Sequence, residues 1–207
     1  MREPKAAPAR PYHHGDLRRA LIVAAQRLLA TEGAAALSLR AVAREAGVSA
    51  AAPYHHFKDK SELLSAVAEE GWRMLTQALA EASQAATVDD GLKLALLAYV
   101  CFARDEPALY RLMYDTARSG EMLPMVAHEG EETPFARVRA ALSQKGANPS
   151  DLDVEVAVVG AWCAAHGLAE MAGFKQFEHL KAQLGGELPF LAAVLEGMGL
   201  YRPLPTG

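Results

Sequence analysis

Apolar positions recur at three- and four-residue intervals along most of this chain, the period of helices. Between Asp16 and Thr31 the stripe is Leu17, Leu21, Ala24, Ala25, Leu28 and Leu29, with Arg18, Arg19, Gln26 and Arg27 outside it and Gly33 ending the run. A short second helix follows, with Leu39, Val42, Ala43 and Ala46 on its apolar face and Arg40, Arg44 and Glu45 off it. Gly47 then stands where a left-handed C-cap suits glycine, and Val48 fills the angle beyond it. Ser49 is placed to N-cap a further short helix, Ala50 to His56. Two short helices joined by a glycine-containing turn predict a helix-turn-helix, whose second helix would enter the DNA major groove. Twenty residues hold too little core to stand alone, so the first helix must pack on Leu39, Val42 and Val48.

A long helix is predicted from Lys60 to about Ala82, carrying Leu63, Leu64, Val67, Ala68, Trp72, Leu75 and Leu79. It spans roughly 30 Å at 1.5 Å per residue. Asp59 or Ser61 serves its start, with Glu62 in the first turn, and a domain boundary is expected inside it near residue 62. Further helices are predicted from Asp90 to Phe102, from Pro107 to Thr116, from Met125 or Thr133 to about Gln144, and from Glu187 to Met198. GANPSD at 146–151 is a break signal. The valines 154, 156, 158 and 159 suit a strand, but the length and alanine content of Asp153 to Ala172 favour a helix. Residues 174–186 hold either a short helix or a loop. The expected fold is all-α: a flexible basic arm over 1–13, a three-helix DNA-binding head over 14–61, a larger helical bundle over 62–202, and a tail over 203–207.

Charge sharpens this division. The 207 residues carry a net charge of −4, which alone argues against a general nucleic-acid binder. Yet residues 1–60 hold ten Lys/Arg against five Asp/Glu, leaving eleven against twenty for the remainder. The basic end suits phosphate and the acidic remainder suits water. Arg2, Lys5 and Arg10 in the arm either add phosphate contacts or belong to a disordered tail. No signal peptide and no uninterrupted apolar run of transmembrane length is evident, so a soluble cytoplasmic protein without membrane association is expected.

The residues placed to meet DNA are Arg40, Ser49, Ala50, Ala51, Pro53, Tyr54, His55 and Lys60. Small side chains let the backbone approach base edges, alanine methyls can touch thymine methyls, and His55 can donate to guanine. His56 faces either DNA or solvent, and Phe57 plugs the head. Pro53 falls in the first turn of the predicted recognition helix, where amides are free in any case. Two half-sites read by a dimer would supply the specificity one head lacks.

In the remainder, Tyr99, Phe102, Tyr110, Met113, Tyr114, Met122, Met125, Phe135 and Trp162 can enclose an apolar pocket with polar handles, though core packing explains the same residues. His166 lies one turn from Trp162 and either enters that pocket or braces the helix. Val159, Trp162, Cys163 and Leu168 of the long apolar helix, with Leu191, Val194 and Leu195 of the last, are candidates for a subunit interface. Cys101 and Cys163 are expected to be buried, inert thiols. Paired histidines at 13–14 and 55–56 diverge on a helix and make poor metal ligands. HExxH, a phosphate loop and a nucleophile elbow are absent from the sequence, so no enzyme, metal or cofactor is expected.

The stretch Leu37 to Leu64, with the apolar helix before it, resembles the tetracycline-repressor (TetR) family of bacterial regulators. The resemblance rests on Ala46 to Ser49 (AGVS), then Tyr54, Phe57 and Lys60, and covers roughly residues 14–64. Pro53 departs from it, standing where many members have an aliphatic residue. Trp162, His166 and Gly167 resemble the Trp-His-Gly signature of one branch. The resemblance implies phosphate contacts from Tyr54, Lys60 and the amides opening the helix at Lys60. It also implies a C2 homodimer through a four-helix bundle of the two C-terminal helices, a near-palindromic double-stranded operator, and a small-molecule effector in the C-terminal domain. Repression relieved by an apolar or aromatic ligand is the expected function. A ligand-responsive activator and a helical interaction protein without DNA binding are the alternatives.

Overall fold

A computed structural model describes residues 14–84, 90–118, 133–143 and 152–199. The basic arm, the tail, the GANPSD break, Met122 and Met125 lie outside the described residues. Among the described residues all regular structure is helical. The α-helices are α1 (His14–Glu32), α2 (Leu39–Glu45), α3 (Lys60–Gln84), α4 (Gly91–Asp105), α5 (Pro107–Arg118), α6 (Pro134–Ser143), α7 (Leu152–Met171), α8 (Glu178–Gln183) and α9 (Glu187–Gly197). Short 3-10 turns occupy Ala34–Ala36, Ala52–His55 and Lys175–Phe177.

The chain divides into two compact units, 1–67 and 68–207. The division falls within α3, five residues beyond the position expected from sequence. In the first unit, α1 packs on α2. Leu21, Ala25, Leu29, Leu37, Val42, Phe57 and Leu63 are buried at its centre. The Arg18 guanidinium lies 5.3 Å from the Phe57 ring centroid, covering the plug from outside.

The second unit is built around α4, which packs on α5, α6, α7 and α9. Leu92, Ala95, Leu96, Tyr99, Val100, Phe102 and Ala103 are all buried along it, so little of α4 faces water. A Cβ on Gly71 of α3 would lie 2.6 Å from Met113 Sδ and 3.1 Å from Leu109 Cδ1. That glycine therefore makes the notch in which α5 seats Met113, itself fully buried. The 174–186 stretch holds α8 after a 3-10 turn, so the helix reading is the right one there.

Candidate DNA-binding surface and ligand-binding core

The turn geometry of the first unit follows from its caps. Ser38 opens α2, its Oγ accepting from the Ala41 amide at 3.1 Å. This cap was not anticipated, although a serine directly before the first apolar position is the usual signal. At the other end Gly47 has φ +69°. The Val48 amide donates to Ala43 O at 3.0 Å and the Gly47 amide to Arg44 O at 3.2 Å. This is a complete Schellman motif, in which glycine takes the left-handed position.

The segment after the turn departs from the prediction. Instead of an α-helix over 50–56, there is a 3-10 turn over Ala52–His55, and the N-cap position is Ala51 rather than Ser49. Ala52 N donates to Ser49 O at 3.0 Å, Tyr54 N to Ala51 O at 3.2 Å and His56 N to Pro53 O at 2.9 Å. Pro53 is the physical reason. It has no amide to close an α-turn onto Ser49, and its ring crowds the carbonyl four residues back, so the segment tightens to a three-residue period. Pro53 is also buried, so it belongs to the packing of the head and not to its outer surface.

Arg40, Ser49, Ala50, Ala51, Tyr54 and His55 are all exposed, together with Arg44 and Lys58. They bring a nearly bare backbone, one phenol, one imidazole and three cations to the outside of the head. Lys60 is only half-exposed, and its ammonium donates to Ala34 O at 3.0 Å. His56 faces neither DNA nor solvent fully: it is half-buried, and its Nε2 is enclosed without a hydrogen-bond partner. The start of α3 is capped by Asp59, whose Oδ1 accepts from the Glu62 amide at 2.9 Å, while Glu62 Oε2 accepts from the Lys58 amide at 2.7 Å.

In the second unit most of the anticipated ligand residues pack against one another. Tyr99, Tyr110, Met113, Phe135 and Trp162 are buried, and Tyr114 and His166 partly so. Trp162 lies 4.9 Å from Tyr99 and 6.0 Å from Phe135, centroid to centroid. Trp72 of α3 meets Tyr114 edge-on at 5.3 Å.

The polar atoms of this cluster form one hydrogen-bonded group. The Tyr99 hydroxyl is hydrogen-bonded to the Tyr114 hydroxyl, to the Tyr110 hydroxyl at 3.1 Å and to His166 Nδ1 at 3.2 Å, and the Tyr110 hydroxyl to His166 Nδ1. A phenol hydroxyl can donate or accept, and a neutral imidazole carries its proton on either ring nitrogen. Burial pushes the Tyr99, Tyr110 and Tyr114 phenols up, so they stay neutral. Burial pushes His166 down, with Glu170 opposing the effect and Arg118 adding to it, which favours the neutral ring.

Two cavities are lined by described residues. One of about 220 Å³ is lined by Tyr110, Arg104, Arg111, Glu170, Glu187 and apolar residues including Val100 and Leu191. A more open groove of about 420 Å³ has Phe102, Met74 and Cys101 on its wall and Glu81, Asp105 and Glu106 at its edge.

The interface candidates separate by face. Trp162, Leu168, Leu191 and Leu195 are buried within the chain, so they build its own core, and Val194 is half-buried. Val159 and Cys163 are exposed. They lie on a stripe with Leu152, Val156 and Met171, of which Leu152 is 74% and Val156 64% exposed. The thiols are therefore not both buried: Cys163 is on the surface and Cys101 is half-buried. The helix is apolar on both faces. Over Val154–Met171 its mean hydropathy of 1.2 makes it long and apolar enough to cross a membrane by length and composition, which the uninterrupted-run criterion had not flagged.

Residues 21–67 match the family described as bacterial regulatory proteins, tetR family, and residues 92–188 match a tetracyclin repressor-like C-terminal domain. A solved structure of a protein of unknown function from Rhodococcus sp. RHA1 is 30% identical, with 95% of this chain and 99% of that one covered and a TM-score of 0.66. The same fold recurs in a TetR-family transcriptional regulator from Streptomyces coelicolor (23% identity, 91% and 99% covered, TM-score 0.62). It recurs again in one from Haemophilus influenzae (20%, 91% and 96%, TM-score 0.63). The chain belongs to the TetR family, and is a DNA-binding regulator of transcription rather than an enzyme.

Proposed function

We propose that this protein is a repressor that occupies a near-palindromic operator as a homodimer and is released by a small molecule bound in the 68–207 unit. The observation that carries the DNA contact is the exposed, side-chain-poor surface after Gly47, flanked by Arg40, Arg44 and Lys58. Small residues admit the backbone to the groove, Tyr54 and the cations hold phosphate, and His55 reads a base edge. Lys60, already bonded to Ala34 O, keeps donors for a phosphate while its position is fixed. Repression needs only that the operator be occupied.

Dimerisation is supported by the outer stripe of α7. Leu152, Val156, Val159 and Met171 expose apolar surface along successive turns, with Leu188 and Met198 exposed on or beside α9. Gly160 and Gly167 on α7 allow another helix to approach closely. The effector reading is supported by the cavity at Tyr110, because a ligand there touches a ring whose hydroxyl is bonded to Tyr99 and His166.

A mobility-shift titration on DNA upstream of the protein's own gene, at several salt concentrations, tests the central claim. Saturable binding that weakens steeply with salt is expected, and Arg40→Ala should reduce the salt slope by about one if it meets one phosphate. Binding that is absent at low salt, or a variant with an unchanged slope, counts against this surface.

A further inference from the structure

We propose that the cavity beside Tyr110 receives a small zwitterion of the α-amino-acid type, its carboxylate on Arg111, its ammonium on Glu170 and a short aliphatic tail on the apolar wall. This names the ligand class for the effector site proposed above and rests on that reading. The cavity holds about 220 Å³, the space of roughly seven waters.

Its charges are not equivalent. Arg104 is held by Asp105 at 2.7 Å and by Glu187 at 3.4 Å, and Glu187 also takes Lys181 at 3.5 Å. Those groups are satisfied before any ligand arrives. Arg111 on α5 and Glu170 on α7 line the same space and form no ion pair with each other or with another described residue. A cavity left with one cation and one anion repels a ligand of either single charge from one side. A molecule carrying both charges satisfies both. Val100, Ala103 and Leu191 supply the apolar side, and the volume suits a single amino acid.

Calorimetry on the full-length protein without DNA tests this with L-leucine, L-valine and L-methionine. Two single-charge analogues of leucine, 4-methylpentanoate and 3-methylbutylamine, serve as competitors. At least one amino acid should bind, and both analogues of leucine should bind at least tenfold more weakly than leucine. In Arg111→Gln the amine should rival leucine, and in Glu170→Gln the carboxylate should. Both side chains are exposed, so neither change threatens the fold. Ala169→Leu, which fills the cavity, should abolish the heat while helicity by circular dichroism is unchanged. No heat with any of the three amino acids overturns the proposal, as does equal affinity for the single-charge analogues or indifference to both charge variants. Because no operator is involved, such a failure leaves the repressor reading to its own mobility-shift test.

Discussion

Gly47 and His166 show how single residues set conditions for their surroundings. At Gly47 a Cβ would meet nothing within 4 Å, so the reason for glycine is the backbone alone. Gly47→Ala should cost about 1–2 kcal/mol, the left-handed penalty of an L-residue. Urea unfolding should show this as a lower midpoint with an unchanged slope. His166 acts through its proton. Burial lowers its pKa, so below the ordinary value of 6.5 the unfolded chain binds a proton that the folded chain resists. Stability therefore rises with pH through that window and is lost as pH falls through it. His166→Gln should flatten the fall in melting temperature below about pH 6.5, the ordinary imidazole value; an identical slope in both proteins would remove His166 as its source.

Among the elements, α3 and the turn before it carry most of the consequence. Sequence periodicity placed α3 nearly to its ends, because its stripe is long and its caps, Asp59 and Glu62, are strong local signals. It did not show Gly71 as a notch, since the neighbour that defines the notch, Met113, lies in another helix. Gly71→Val should destabilise the second unit by about 1–3 kcal/mol through overpacking, despite improving local helix propensity. Thermal denaturation checks the sign, and a stabilised variant would show that Met113 yields freely. The segment at 52–55 was misread for the opposite reason. Its alanines favour an α-helix, and the effect of one missing amide at Pro53 on the hydrogen-bond period outweighs them.

For the molecule as a whole, α7 decides what the chain needs from outside itself. Its inner face holds Val154, Val158, Ala161, Trp162 and Ala165 in the core, and its outer face leaves a valine-rich stripe uncovered. A helix apolar all round asks for a partner on both sides. Replacing Val156 and Val159 together by Glu should convert a dimer to a monomer in sedimentation experiments, and operator affinity should fall with it, because two half-sites can no longer be held at once. The fold of each unit should survive, since both side chains are exposed. A double variant that remains dimeric would place the interface elsewhere.

Local pattern was enough for most of the helices, the glycine turn and the basic balance of the head. Each is encoded by neighbours three or four residues apart, or by a cap beside them. Which aromatic residues meet each other and which line open space is not local. Tyr99, Tyr110, Tyr114, Trp162 and His166 come from three helices, and only their packing brings the three phenols and the imidazole into one hydrogen-bonded group against the Trp162 ring. In the same way, periodicity marked α7 as apolar but gave no sign of which side was inward. Trp162 and Leu168 went to the core and Val156 to the surface because α4 and α6 cover one side of that helix.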